Sequence, residues 1–363
     1  MLTKSASEFV GAITFEALTG RPVHTELIQA GHALDHIRLA RAAELVLVAP
    51  ATADFMARAA GGQASDLLTA CLLATEAPVL IVPAMNERMW AHPQTQQNVA
   101  HLRELGYHVL EPDVGELAVG EGHGPGRMPE PDAILAHAGR LLENTDGLRG
   151  RRVVVSAGPT REAVDPVRFI SNRSSGKMGV AIAASAWRRG ADVVLIAGPI
   201  ATDAPVGPRV RTVETTAEML EAVRDEIRSA DVLVMAAAPA DFRASTIATS
   251  KVKKANAPDS IPLETTPDIL RETISSRPPG MVTVGFALET DDVLENGAAK
   301  LDAKQLDLIV TNDAREPGAG FAVDTNRVTM LARDGTRTDL PLLQKTEVAD
   351  AILDRVVELL DGR

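Results

Sequence analysis

Apolar positions along this chain gather into short unbroken runs separated by longer mixed stretches. In the second half the runs are VVVSAG (153–158), ADVVLIAG (191–198), ADVLVMAAA (230–238), MVTVGFA (281–287) and LDLIVTND (306–313). In the first half ELVLVAPAT (44–52) and APVLIVPAM (77–85) have the same character. Runs of this length without polar alternation predict strands buried on both faces, the pattern of a parallel sheet. Between them the apolar spacing turns helical, as in TAEMLEAVRDEIRSA (216–230), VAIAASAWRRG (180–190) and DFMARAAGGQASDLLTACLLA (54–74). EFVGAITFEALTG (8–20) reads as an amphipathic helix stopped by Gly20. Strand and helix in alternation predict an α/β class built of doubly wound parallel sheets, with ligand crevices beyond the carboxyl ends of the strands.

Composition divides this picture in two. At 363 residues the chain has room for two domains with substantial cores. Residues 1–148 carry 9 Lys and Arg against 18 Asp and Glu, and the remainder 28 against 31. All eight histidines fall in the first part and seven of the eight lysines in the second, Lys4 being the exception. One module can use imidazole; the other must work with ammonium and amide groups. NTDGLRG (144–150) is the expected boundary, giving domains 1–146 and 147–363. The net charge of −12 argues against nucleic-acid binding. No apolar run approaches the roughly 20 residues of a membrane span. A single cysteine, Cys71, excludes a disulfide framework and fits a reducing cytoplasm.

The densest chemistry is RFISNRSSGKMG (168–179), which links a strand to a helix. Ser174, Ser175, Gly176 and Lys177 at a helix start offer hydroxyls, exposed N–H groups and a cation, a seat for phosphate. Ser171 stands where a Walker A loop needs glycine, so the seat is of another kind. A capped helix with a surface lysine remains the plain alternative. Asp241, just past a strand in AAAPADFR, can accept from an exocyclic amine or a ribose hydroxyl, or else cap a helix. KVKK (251–254) is a basic cluster in a polar loop; Lys300 and Lys304 share one helix face; Phe286 ends a strand. With no histidine or cysteine nucleophile in this half, the set predicts nucleotide activation of a carboxylate through charge neutralisation.

In the first half the strand-end loops APATAD (49–54) and PAMNERMW (83–90) are where a ligand is expected. Asn86 reads equally as a ligand-site amide at a strand end or as a plain turn or N-cap residue, and His36 as a surface or helix-end histidine; EGHGPGRMPEP (121–131) is a loop of special geometry.

Taken in order, HIRLARAAELVLVAPATAD, PAMNERMW and GPGRMPEP resemble the flavin-dependent cysteine decarboxylases, phosphopantothenoylcysteine decarboxylase in particular. The resemblance implies FMN cradled by Ala51, Thr52, Pro83 and Met85, with His36 and Asn86 serving substrate binding and chemistry. It also implies oxidation of the substrate's thiol by the flavin, which makes loss of carbon dioxide easy. Val119 stands where that family has a proton-donating cysteine; Cys71 reads as core, His123 is one group that could supply the proton instead, and the absence of the cysteine does not exclude activity. The family also begins with a strand, a Gly-rich phosphate loop, a helix and a second strand. The first domain is therefore expected to lack its first strand, helix and most of its second strand, as a fragment or from a misassigned start codon.

AGPTREAVDPVRFISNRSSGKMG, followed by AAAPADFR, KVKK, TPDIL and VGFALET, resembles phosphopantothenate–cysteine ligase over nearly all of 151–363. That resemblance implies two Rossmann-like domains in coenzyme A biosynthesis: CTP with Mg2+ activates 4′-phosphopantothenate as an acyl-cytidylate, and L-cysteine displaces CMP. Met235, Ala236, Ala237 and Asp241 would contact cytidine; Lys251, Pro267, Asp268, Ile269, Leu270, Phe286, Lys300 and Lys304 would complete the site. Asn172 would stabilise the acyl-cytidylate. Ligase dimers and decarboxylase trimers, hence a dodecamer, follow from the same resemblance. Two alternatives stay open: an active ligase with an inactive decarboxylase half, or a first half that is a flavin-binding or assembly platform.

Overall fold

The computed structural model describes residues 1–28, 34–120, 122–143, 147–253, 260–289, 293–313, 320 and 323–362. The chain forms two compact units, Met1–Leu142 and Glu143–Arg363. The expected linker positions 144–146 and Lys254 of KVKK lie outside the described residues.

In the first unit, helices α1 (Lys4–Ser7), α2 (Ala12–Thr19) and α3 (Asp35–Ala42) precede β1 (Val46–Ala51), α4 (Ala53–Ala60), α5 (Leu67–Ala74) and β2 (Val79–Pro83). Then come α6 (Glu87–Trp90), α7 (Pro93–Glu104), β3 (His108–Val109), the hairpin β4 (Asp113–Glu116) and β5 (His123–Arg127), and α8 (Pro131–Leu142). Among the described residues β1, β2 and β3 form a parallel three-stranded sheet in that order. Phe55 and Met56 of α4, Leu72 of α5 and Val99 and Leu102 of α7 cover one face; Ile134 and Ala138 of α8 pack with Leu80 and Val82 on the other.

Three expectations need correction here. The strand β2 is buried throughout, but β1 alternates: Val46, Val48 and Ala51 are buried whereas Leu47 is 42% exposed. Among the described residues it lies at one edge of the sheet, and only the face carrying Val46 and Val48 is covered. The stretch 54–74 is two helices, because Gly62 takes a left-handed φ of 63° after α4. Asp66 then starts α5 afresh, accepting from Thr69 N at 2.8 Å while Arg58 holds its other oxygen at 2.6 Å. The helix expected over 8–20 is shorter, α2, stopped at Gly20 as foreseen but with no buried residue and hence no packed apolar face.

The second unit opens with β6 (Arg152–Ala157), the hairpin β7 (Arg161–Ala163) and β8 (Phe169–Ser171), α9 (Lys177–Arg188), β9 (Asp192–Ala197) and β10 (Arg209–Thr212). It continues with α10 (Thr216–Glu226), β11 (Val232–Met235), the hairpin β12 (Phe242–Ala244) and β13 (Leu263–Thr265), α11 (Ile269–Glu272), β14 (Val282–Glu289) and α12 (Val293–Ala303). Last are β15 (Leu308–Asp313), β16 (Thr325–Asn326), β17 (Thr329–Ala332), β18 (Arg337–Asp339), β19 (Leu343–Gln344) and α13 (Lys345–Asp361). Eight of the described strands form a sheet ordered β10-β9-β6-β11-β14-β15-β17-β18, and β7-β8, β12-β13 and β16-β19 pair separately. All five apolar runs of this half are parallel strands within it; the antiparallel β17 and β18 were not foreseen.

Alternate residues explain the double winding. Val153 and Val155 point with Leu195, Val234 and Val284 toward Ile182 and Ala186 of α9 and Ile352 and Val356 of α13. Val154, Ile196, Leu233 and Ile309 pack on the other face with Met219 and Val223 of α10 and Leu301 of α12. Each Val, Leu, Ile or Met side chain so buried contributes about 1.5–3 kcal/mol relative to exposure. The core therefore fixes the sheet and leaves the strand ends to chemistry.

Candidate functional site

In the second unit, β6 and β11 are neighbours, so the segments leaving their carboxyl ends run side by side. Backbone pairing continues past the strands, with Ala238 N donating to Gly158 O at 2.9 Å. Polar groups then replace apolar packing. Ser156 and Thr160, both fully buried, accept from Ala237 N at 3.1 Å and Ala240 N at 2.9 Å. Thr160 meets Thr216 hydroxyl to hydroxyl at 2.9 Å, and buried Glu162 accepts from Thr216 N and Oγ1, each at 2.8 Å. A carboxylate only accepts, so the proton order is set: Ala240 N–H to Thr160, Thr160 to Thr216, Thr216 to Glu162. This buried relay holds the loop that presents Asp241. Sequence reasoning did not single it out; a glutamate and threonines just beyond an apolar run were the available signal.

Asn172, one residue past β8, reaches the same loop. Its Nδ2 donates to Pro239 O at 2.8 Å and Ala238 O at 3.3 Å. The amide nitrogen thus braces the 236–241 segment. Next in the chain, Ser174 Oγ accepts from Gly176 N at 3.3 Å, and Gly176 caps α9 with a left-handed φ of 81°. A Cβ there would lie 2.4 Å from Ile200 Cγ2, and one at Gly179 would lie 2.6 Å from Ser156 O. Glycines therefore let the start of α9 sit directly on the end of β6. Lys177 begins the helix and pairs with Asp324 at 2.6 Å, a contact that lowers the Asp324 pKa. A groove of about 320 Å³ beside it is lined by Lys177, Thr202, Asp324 and Lys345 among others. Burial, with Lys177 nearby, pushes the Lys345 ammonium down to about 8.

The remaining candidates occupy several places. Met235 ends β11 with its side chain buried, and Ala236 and Ala237 follow it. Pro267 precedes Asp268, which caps α11 through Arg271 N at 3.3 Å and pairs with Lys304 at 3.1 Å. Ile269 and Leu270 are buried in the core, so any ligand contact there is through backbone. Phe286 is half-buried on β14, and Lys300 lies on α12 one turn before Lys304. Lys251 is exposed, and Val252 beside it is tied to Asp165.

In the first unit the two strand-end loops and the hairpin meet as expected of a ligand crevice. Ala84 N donates to Ala51 O at 3.1 Å, and Met85 N to Gly126 O at 2.9 Å. Gly126 has φ 139°, and a Cβ on it would strike Met85 O at 2.1 Å, so GPGRM is pressed onto PAMN. Thr52 caps α4 through Phe55 N at 3.2 Å, and Asn86 caps α6 through Arg88 N at 2.9 Å. Pro83 ends β2. His36 lies on α3 with Nδ1 buried and unpartnered, a polar atom that a ligand would satisfy. Val119 is fully exposed on the β4–β5 connection, and Cys71 is buried on α5, its thiol pushed up by burial.

The family described as DNA/pantothenate metabolism flavoprotein C-terminal domain matches residues 148–360, and the Flavoprotein family matches residues 1–142. Coenzyme A biosynthesis bifunctional protein CoaBC of Mycobacterium tuberculosis (strain ATCC 25618 / H37Rv) is 48% identical, over 99% of this chain and 89% of that protein. The chain belongs to the CoaBC family. The CoaBC of Bacillus subtilis (strain 168) is 42% identical over 99% of this chain and 89% of its own length. Among solved structures, the C-terminal domain of a CoaBC matches with a TM-score of 0.52 at 39% identity, covering 60% of this chain and 100% of that domain. Family membership thus spans both units. Among the described residues no helix is long and apolar enough to cross a membrane, and no cluster of three or more His, Cys, Asp or Glu could hold a metal ion.

Proposed function

We propose that this chain is a bifunctional enzyme of coenzyme A biosynthesis that joins 4′-phosphopantothenate to L-cysteine and then decarboxylates the product to 4′-phosphopantetheine. The ligase is assigned to residues 147–363 and the decarboxylase to 1–146. CTP is the activating nucleotide, entering with Mg2+ on its phosphates, since a hard cation with few protein ligands is ordinarily held by phosphate and water. Asp241 and the backbone at Met235–Ala237 read the amine edge of cytosine. Ser174, Ser175, Gly176 and Lys177 receive phosphate, Lys251, Lys300 and Lys304 neutralise charge, and the Pro267–Leu270 backbone and Phe286 complete the site. Asn172 holds the acyl-cytidylate while cysteine attacks. What supports this most is the bond from Asn172 to the carbonyls of Ala238 and Pro239, which brings RFISN against the loop of Asp241.

In the first unit the residues fit a flavin: converging strand ends, a glycine pressed onto Met85, and an unpartnered buried nitrogen on His36. Ala51, Thr52, Pro83 and Met85 would hold FMN, which supplies a two-electron acceptor for the substrate's thiol. His36 and Asn86 bind and orient the substrate beside it. Ligase dimers and decarboxylase trimers, combined in a dodecamer, are the proposed assembly. The nucleotide assignment is tested by pyrophosphate release: CTP should exceed ATP at least tenfold in kcat/KM, about 1.4 kcal/mol. Equal rates with the two nucleotides would remove the cytosine reading.

A further inference from the structure

Asp165 is a carboxylate buried to 2% exposure in the turn between β7 and β8. Its Oδ1 accepts from Val167 N at 2.8 Å and Arg168 N at 2.9 Å, which closes the turn. Its Oδ2 does something different: it accepts from Val252 N at 3.2 Å, across 87 residues of sequence, and pairs with Arg168 Nη2 at 2.9 Å. The Arg168 guanidinium in turn donates to Val252 O. Both backbone groups of Val252 are therefore held by one acid and its partner, and Ala248 N adds a bond to Val164 O at 3.0 Å. Burial alone would raise the Asp165 pKa, but the three backbone N–H groups and Arg168 outweigh it and hold it low.

The two ends of this knot lead to the proposed ligase chemistry. Val252 follows Lys251, and Arg168 immediately precedes β8, which leads to Asn172. We infer that Asp165 is a positioning residue of the ligase reaction, whose Oδ2 anchors the segment bearing Lys251 to the turn that leads into Asn172. A lysine on an exposed loop would otherwise sample many positions, and a displacement of about 1 Å in such a group costs up to roughly 10²-fold in rate. The inference rests on Lys251 acting on the nucleotide, as proposed above.

Asp165→Asn separates the two functions of the side chain. The amide oxygen keeps the turn, while an NH2 placed at Oδ2 faces the Val252 N–H and the Arg168 guanidinium and can accept from neither. In the full chain, with pyrophosphate release followed against CTP, D165N should lower kcat/KM for CTP by about tenfold or more. In a Lys251→Ala background the same change should have an effect within about twofold, because the group it positions is gone. Full activity of D165N, or an undiminished D165N effect in the double variant, overturns the inference while leaving the role of Lys251 intact. Full activity of Lys251→Ala overturns both. Should D165N not fold, Val252→Pro deletes the same N–H from the other side and must show the same loss and the same non-additivity.

Discussion

Thr216→Val probes the buried relay beneath Asp241. Valine matches threonine in shape, so the change removes one hydroxyl and little volume. That hydroxyl is 1% exposed with its residue, donates to Glu162 at 2.8 Å and accepts from Thr160 at 2.9 Å. A hydrogen bond to a charged group contributes about 1.5–3 kcal/mol, and a buried hydroxyl left without its acceptor costs about 1–3 kcal/mol more if it cannot turn elsewhere. Some relaxation of Thr160 is available, so about 3 kcal/mol is expected. Thr216→Ser keeps the hydroxyl and loses a methyl, about 1 kcal/mol. For a unit of this size 3 kcal/mol corresponds to a fall in Tm of about 6–12 °C. Because Ala240 N hangs from Thr160, the valine variant should also lose about tenfold in kcat/KM for CTP, and the serine variant much less. Urea unfolding of the full chain and initial rates against CTP measure both. Equal stability of the valine and serine variants would refute the directed relay.

Three further outcomes follow from the same geometry. Asn172→Asp sets a carboxylate oxygen against the carbonyls of Ala238 and Pro239 in place of a donor; overall ligation should fall by on the order of 10²–10³ while CTP binding suffers far less, read by half-reactions with and without cysteine. Gly179→Ala would bring a methyl 2.6 Å from Ser156 O and from Ala157 Cβ, forcing α9 off β6 at about 1–3 kcal/mol, and an unchanged urea midpoint would contradict this. Lys345 titrates near 8 in the fold against 10.5 ordinarily, so the unfolded chain binds more protons between those values and the lysine's contribution to stability rises with pH there. The stability of the wild-type chain relative to Lys345→Met should therefore increase from pH 8 toward 10, and a flat difference would show that the lysine is not desolvated.

Strands β6, β9, β11, β14 and β15 of the second unit were legible because they are buried on both faces, which leaves apolar runs such as Val153–Val155, whereas the parallel edge strand β10, charged and partly exposed, was not. Strand β1 was legible as a strand but not as half-exposed, since Leu47 is as apolar as the buried Val46 and Val48. The hairpins β7–β8 and β12–β13 were hidden: three-residue strands rich in charge, such as Arg161–Ala163, pair through backbone and carry no hydrophobic period. Within the site, Asn172 and the SSGK stretch stood out because amides, hydroxyls and a lysine at a helix start have obvious uses. Thr160, Glu162, Asp165 and Thr216 did not, because their role is to bond to one another and to the backbone of distant segments. Only the fold brings Asp165 to Val252.

The central claim, two linked activities in one chain, is tested most directly by one stoichiometry. The full chain is loaded with FMN and given CTP, Mg2+, 4′-phosphopantothenate and cysteine labelled in its carboxyl carbon, and pyrophosphate and labelled carbon dioxide are followed together. The account predicts that both are released in equal final amounts, with pyrophosphate leading, and that both cease when CTP is omitted. Pyrophosphate without carbon dioxide would contradict the decarboxylase assignment, and the absence of CTP-dependent pyrophosphate would contradict the account at its root.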